Sequence, residues 1–342
     1  MLRSRTRDEM EKRLEQTCKT YISNRDEMRR ILRASGIPMH LMGAAVLTAL
    51  GREADEDKIL EAERLLRERE PVDSPIRGSI KSVTTVHMML ADSIEGYYKD
   101  LKRTHDLIHV NRGDDDERYY MAAMMMSDKI SSMQDILFLL DRAGLIHEGM
   151  GKSFASLKDK SGYVTAAFAA ACGIVNTRVY LERVDACREI LTESGEIENV
   201  TEDLCMLLAM IPLHTDMKCE KALEIFRAFK AIDMKIERDE EAGMVGFLAA
   251  LDMPAEEIAN AVYEADEFLK LYSGFTEGSG CVLRHVYAAM LVTMTYSKDR
   301  SVAGLSRLIS EDIEVLKRMV LMQSQSVMHI QMDYVDVEDL HI

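Results

Sequence analysis

The strongest constraint in this chain is a recurring apolar segment built around paired alanines. Ala44-Ala45, Ala122-Ala123, Ala166-Ala167, Ala249-Ala250 and Ala288-Ala289 each sit in a short run of apolar residues. The steps between the first alanines are 78, 44, 83 and 39 residues, and half of each long step is 39 and 41.5. The two skipped positions hold SVTTVHMMLA around His87 and DLCMLLAMI around Leu207, apolar but without the double alanine. An amphipathic stretch follows each apolar one. The clearest carries Ile258, Val262, Ala265, Leu269 and Tyr272 at alternating spacings of four and three, which is one stripe on an α-helix.

A unit of about forty residues, apolar helix then amphipathic helix, repeated seven times, points to stacked helical hairpins. The expected fold is therefore all-α: an array of antiparallel helical hairpins, either a HEAT/armadillo-like α-solenoid or an irregular helical superhelix. Small residues on the apolar helices allow close approach. The chain is 342 residues long, with 47% hydrophobic and 30% charged residues, 18 Gly and 5 Pro. So few turn formers argue against an all-β architecture, and so much apolar content argues against disorder.

The expected organisation is one elongated domain over 1–342. Residues 1–33 form a cap helix, 34–322 the hairpins, and 333–342 an acidic tail. A weak seam is expected at 71–78, where two prolines precede Gly78. Loops are also expected at Arg112–Glu117, Gly149–Lys152 and Ser273–Gly280. For the helix after Asp252, that aspartate is the expected cap, Pro254 lies in the first turn, and Gly274 follows the end.

The formal charge is −16, which argues against nucleic-acid binding, with its need for a basic face, as the main role. The charge is uneven, at net +4 over 1–35 and net −14 over 185–278. The longest apolar run, Tyr163 to Val175, is too short to cross a bilayer, and the first residues show no leader pattern. The six cysteines form no CxxC pair and fall largely in apolar runs, as buried, reduced thiols do in a cytoplasmic protein.

Few residues suggest chemistry. His105 and His109 stand at i and i+4, a spacing that can grip a metal, although no third ligand is evident. The stretch GFTEGSGCVLRH offers Gly278 and Gly280 before a helix carrying Arg284 and His285, a candidate anion or small-molecule site. Met121, Met124, Met125 and Met126 offer an adaptable groove or, on the repeat logic, simply core. No catalytic arrangement and no cofactor motif is legible.

The segments Met121-Ala-Ala-Met-Met-Met-Ser-Asp-Lys129, Gly274-Phe275 with Gly278 and Gly280, and Leu283-Arg-His-Val-Tyr-Ala-Ala289 resemble an uncharacterised family of all-helical cytosolic proteins, known mainly from Gram-positive bacteria as a domain of unknown function. The resemblance spans about 115–300 and implies no activity. The expected function is an interaction scaffold for a protein or peptide partner, with a second copy of the chain among the candidates. The alternative is a small-molecule or anion-binding protein or enzyme, with its pocket near Gly274–Gly280.

Overall fold

A computed structural model describes residues 2–32, 37–112, 117–153, 161–198, 200–236, 239–275, 280–297 and 314–326. Among these there is no β-strand; the protein is all-α. Seven short, largely apolar helices are α2 (Ile37–Leu50), α4 (Lys81–Leu90), α6 (Glu117–Met126), α8 (Ser161–Ala171), α10 (Glu202–Met210), α12 (Asp239–Leu248) and α14 (Gly280–Tyr296). Between them run the amphipathic α3 (Glu56–Arg69), α5 (Ile94–Arg112), α7 (Met133–Ser153), α9 (Thr177–Ser194), α11 (Thr215–Ala231) and α13 (Ala255–Leu269). A long α1 (Leu2–Ile31) precedes them, and α15 (Glu314–Ser326) lies near the C-terminal end.

The two helix classes follow from their sequences. In α6 every residue from Tyr119 to Met126 is buried, so the methionine cluster is core. In α13 only one stripe is buried, with Ile258, Val262, Ala265 and Leu269 along its spine. Burying each large aliphatic side chain there contributes roughly 1.5–3 kcal/mol. Start signals are local. Asn176 caps α9 by accepting from the Val179 N–H at 3.1 Å, and Asp55 caps α3 through the Lys58 N–H at 3.2 Å.

The residues group into two compact units. One comprises 1–20 and 174–315, the other 21–173 and 316–342. In the first, α9, α11 and α13 pack side by side, and α10, α12 and α14 do the same. In the second, α2 packs on α4 and α6 on α8, with α3 against α5. The second unit also holds the fully buried Arg318 of α15, whose Nε donates to the Met125 carbonyl at 3.1 Å.

Close helix approach is made at glycine as well as alanine. A Cβ on Gly246 of α12 would lie 2.7 Å from the Leu207 Cβ of α10. On Gly43 of α2 it would lie 3.1 Å from the Ser82 carbonyl oxygen of α4.

The 71–78 loop lies within the second unit. It is tied down because the buried Glu70 carboxylate accepts from Ser74 Oγ at 2.8 Å and Tyr98 Oη at 2.6 Å. Gly149–Lys152 is the last stretch of α7 rather than a loop. The buried stripe Ile136, Leu139, Ala143, Ile146, Met150 runs straight into it and keeps the backbone helical. Pro254, not Asp252, holds the N-cap position of α13, with no side-chain cap bond. That helix ends at Leu269, so Tyr272 falls outside it; Gly274 follows five residues on, with φ 91°. The tail 333–342, the acidic run 114–116 and Gly278 lie outside the described residues.

Candidate functional site

Helix α14 is buried along nearly its whole length, from Val282 to Met294 and beyond. Polar side chains in its first turns therefore cannot rely on water and must find partners within the protein. Arg284 and His285 both do so, in the first unit. The Arg284 Nε donates to Asp266 Oδ1 at 2.5 Å and its Nη1 to the Phe275 carbonyl at 2.8 Å. Lys270 Nζ lies 3.3 Å from Asp266 Oδ2. The guanidinium sequence analysis offered as an anion grip is thus turned inward onto a carboxylate that is itself buried.

His285 sits at the centre of a second chain of contacts. Its Nδ1 lies 2.6 Å from Oε1 of Glu241, a buried carboxylate near the start of α12. Its Nε2 lies 3.4 Å from Cys281 Sγ and 3.8 Å from Asp266 Oδ1. Cys281 and His285 are four residues apart on α14, which stacks them on one face. In the tautomer that donates its Nδ1 proton to Glu241, Nε2 can accept from the thiol. Burial raises the Cys281 thiol above its ordinary value; Arg284 and Lys270 pull it back, and Asp266 and Glu241 push it up. The sulfur therefore stays a thiol and needs a base to ionise.

Four cysteines, Cys18, Cys187, Cys205 and Cys219, are buried, as their apolar settings suggest, and Cys172 is half-buried. Cys281 departs from that pattern: it is exposed. Helix α14 opens at Gly280, and its buried run begins at Val282, one residue after Cys281.

His105 and His109 do face the same side of α5, with rings stacked at 6.2 Å between centroids. His105 is buried and lies flat on Tyr120 at 3.7 Å. Among the described residues no group of three His, Cys, Asp or Glu side chains comes together to hold a metal.

One feature of the second unit was not anticipated. Helix α7 has two apolar faces. The first is the buried stripe from Ile136 to Met150. The second carries Met133, Leu137, Phe138 and Leu145, which are 46%, 52%, 57% and 51% exposed. Asp141 and Glu148, seven residues apart, are exposed on that same open side. An open groove of about 540 Å³ runs beside it, bounded by Ile108 and Asn111 of α5, Leu137 and Leu145 of α7, and Tyr163 of α8.

A family model described as "Protein of unknown function (DUF4003)" matches residues 26–325. The chain belongs to the DUF4003 family. The match reaches well beyond the 115–300 over which the resemblance runs. No curated protein and no solved structure matches the chain. Family membership assigns no role to any residue, so the site stands on its geometry. No helix among the described residues is long and apolar enough to cross a membrane.

Sequence reasoning picked out Arg284 and His285 but missed their partners. Cys281 had a local signal, the Cys-x-x-x-His spacing at a helix start. Glu241 had none: it is 44 residues from His285 and arrives only because α12 packs on α14.

Proposed function

We propose that this DUF4003 protein is a cytoplasmic interaction scaffold, its helix pairs stacked as an α-solenoid, and that the open face of α7 docks a basic amphipathic helix of a partner protein. The second apolar face of α7 carries this reading. An outer helix of a helical array needs one apolar stripe to bury against its neighbours, and α7 has that stripe in full. A second set of large apolar side chains left in water is disfavoured by the hydrophobic effect unless something covers it. Asp141 and Glu148 on that side outnumber the one cation beside it among the described residues, the Arg142 guanidinium 4.0 Å over the Phe138 ring, and so set the partner's chemistry. A Lys- or Arg-bearing amphipathic helix meets those charges, whereas an identical copy would set carboxylate against carboxylate. The net charge of −16 draws basic partners in the same direction.

The test places a photo-crosslinking amino acid at Leu137, and at the exposed Tyr263 as control, in the full chain in its native cells. The expected result is an adduct specific to position 137, mapped to a basic amphipathic segment of another protein and lost in an Asp141→Lys/Glu148→Lys variant. An adduct of the chain with itself would replace this reading with a homodimer. No adduct specific to position 137 would remove it.

A further inference from the structure

The exposed thiol of Cys281, in the unit that does not carry the α7 face, has no part in that docking. What surrounds it is unusual for a bystander cysteine. Its sulfur faces the Nε2 of an imidazole whose side chain is only 9% exposed. That imidazole is held from the other side by the buried Glu241 at 2.6 Å. The order thiol, imidazole, carboxylate is the order of nucleophile, base and orienting group. The four other cysteines in apolar settings have no such access.

We propose that Cys281 is a reactive thiol that exchanges with low-molecular-weight disulfides, with His285 taking its proton and Glu241 acting as the positioning residue that holds the imidazole. The step balances without any further oxidant. Cys281 Sγ attacks one sulfur of R–S–S–R; the new S–S bond forms as the old one breaks. The thiol proton passes to His285 Nε2 and then to the departing R–S⁻, which leaves as R–SH. Cys281 is oxidised to the mixed disulfide, and one half of the small disulfide is reduced. A second small thiol reverses the step.

The groups facing the thiol explain why a base is needed. Asp266 of α13 and Glu241 of α12 oppose a free thiolate. Arg284 of α14, and Lys270 just beyond α13, favour one, but Asp266 already binds both cations. A thiolate formed by transfer to His285 is different: the imidazolium it leaves lies between Glu241 and Asp266, which stabilise it. The charges cancel within the cluster rather than at the surface.

The test follows the reaction of the intact native protein with cystine and with an aryl disulfide, across pH, locating the adduct by mass spectrometry. We expect one fast equivalent, on Cys281, absent in Cys281→Ser. In His285→Gln the rate at neutral pH falls by about tenfold or more, as loss of a general base predicts. Its pH profile also moves up, following ionisation of the unaided thiol, so that it still climbs where the wild-type rate has levelled. Glu241→Gln, nearly isosteric, gives a smaller loss with the same upward displacement of the profile. It carries the test if His285→Gln fails to fold. Wild-type rate and pH profile retained in a folded His285→Gln or Glu241→Gln protein would overturn the proposal and leave Cys281 as merely an accessible thiol. So would a fast equivalent that persists in Cys281→Ser.

Discussion

Replacing Gly246 by Ala tests how closely the apolar helices must approach. Alanine is the better helix former, by about 1 kcal/mol in a helix interior. Propensity alone therefore predicts a more stable protein. The new Cβ, however, meets the Leu207 Cβ at 2.7 Å and its Cδ1 at 3.0 Å. The first of these atoms is fixed to the backbone of α10, so rotation of the leucine cannot relieve it, and α10 and α12 must move apart. Overpacking of this kind costs about 1–3 kcal/mol. The net effect is a loss of about 1 kcal/mol, or about 2–4 °C in melting temperature for a unit of this size. Gly151→Ala in α7 is the counterpart, because a Cβ there meets nothing within 4 Å. It should hold or raise stability by up to ~1 kcal/mol. Thermal unfolding by far-ultraviolet circular dichroism gives the two signs, and faster amide exchange confined to α10 and α12 locates the first. If Gly246→Ala proves as stable as wild type, the tight contact between those helices is not real.

Three further outcomes are expected. Asp266→Asn removes the countercharge of the buried Arg284 and should cost about 3 kcal/mol, read by urea denaturation; an unchanged midpoint would show that the pair does not anchor α14. Asn176→Ala removes the cap of α9 and should cost about 1 kcal/mol in the same assay, while no change would mean that the Val179 N–H is satisfied elsewhere. His87 is held neutral, chiefly by burial and secondarily by Lys317, with its pKa well below 6.5. Since the unfolded chain then binds the proton that the folded one refuses, stability should fall as pH drops below about 6.5, by up to ~1.4 kcal/mol per pH unit. In His87→Asn that slope should be shallower, and an identical slope would refute the assignment.

Much of the architecture was legible because it is written in short-range periodicity. The all-α class, the seven apolar segments and the amphipathic helices between them follow from the spacing of apolar residues along the chain, which a helix converts directly into faces. The buried methionines of α6 were legible for the same reason. Local punctuation was read less well. Gly149 and Gly151 looked like a break, yet the stripe from Ile136 to Met150 keeps the helix going, since packing on one face outweighs two weak helix formers on the other.

What the sequence by itself determined is which stretches coil into helices and which faces of them avoid water. Only the tertiary structure decided which side chains meet. It brought Glu241 of α12 to His285, closed Asp266 onto Arg284, left Cys281 at the rim of a buried helix, and left α7 with a second apolar face open. The reason is physical: periodicity fixes the direction of a side chain relative to its own helix axis, whereas a contact across 44 residues depends on how the intervening helices pack. That packing is set by volumes such as the missing Cβ of Gly246, which no local pattern records.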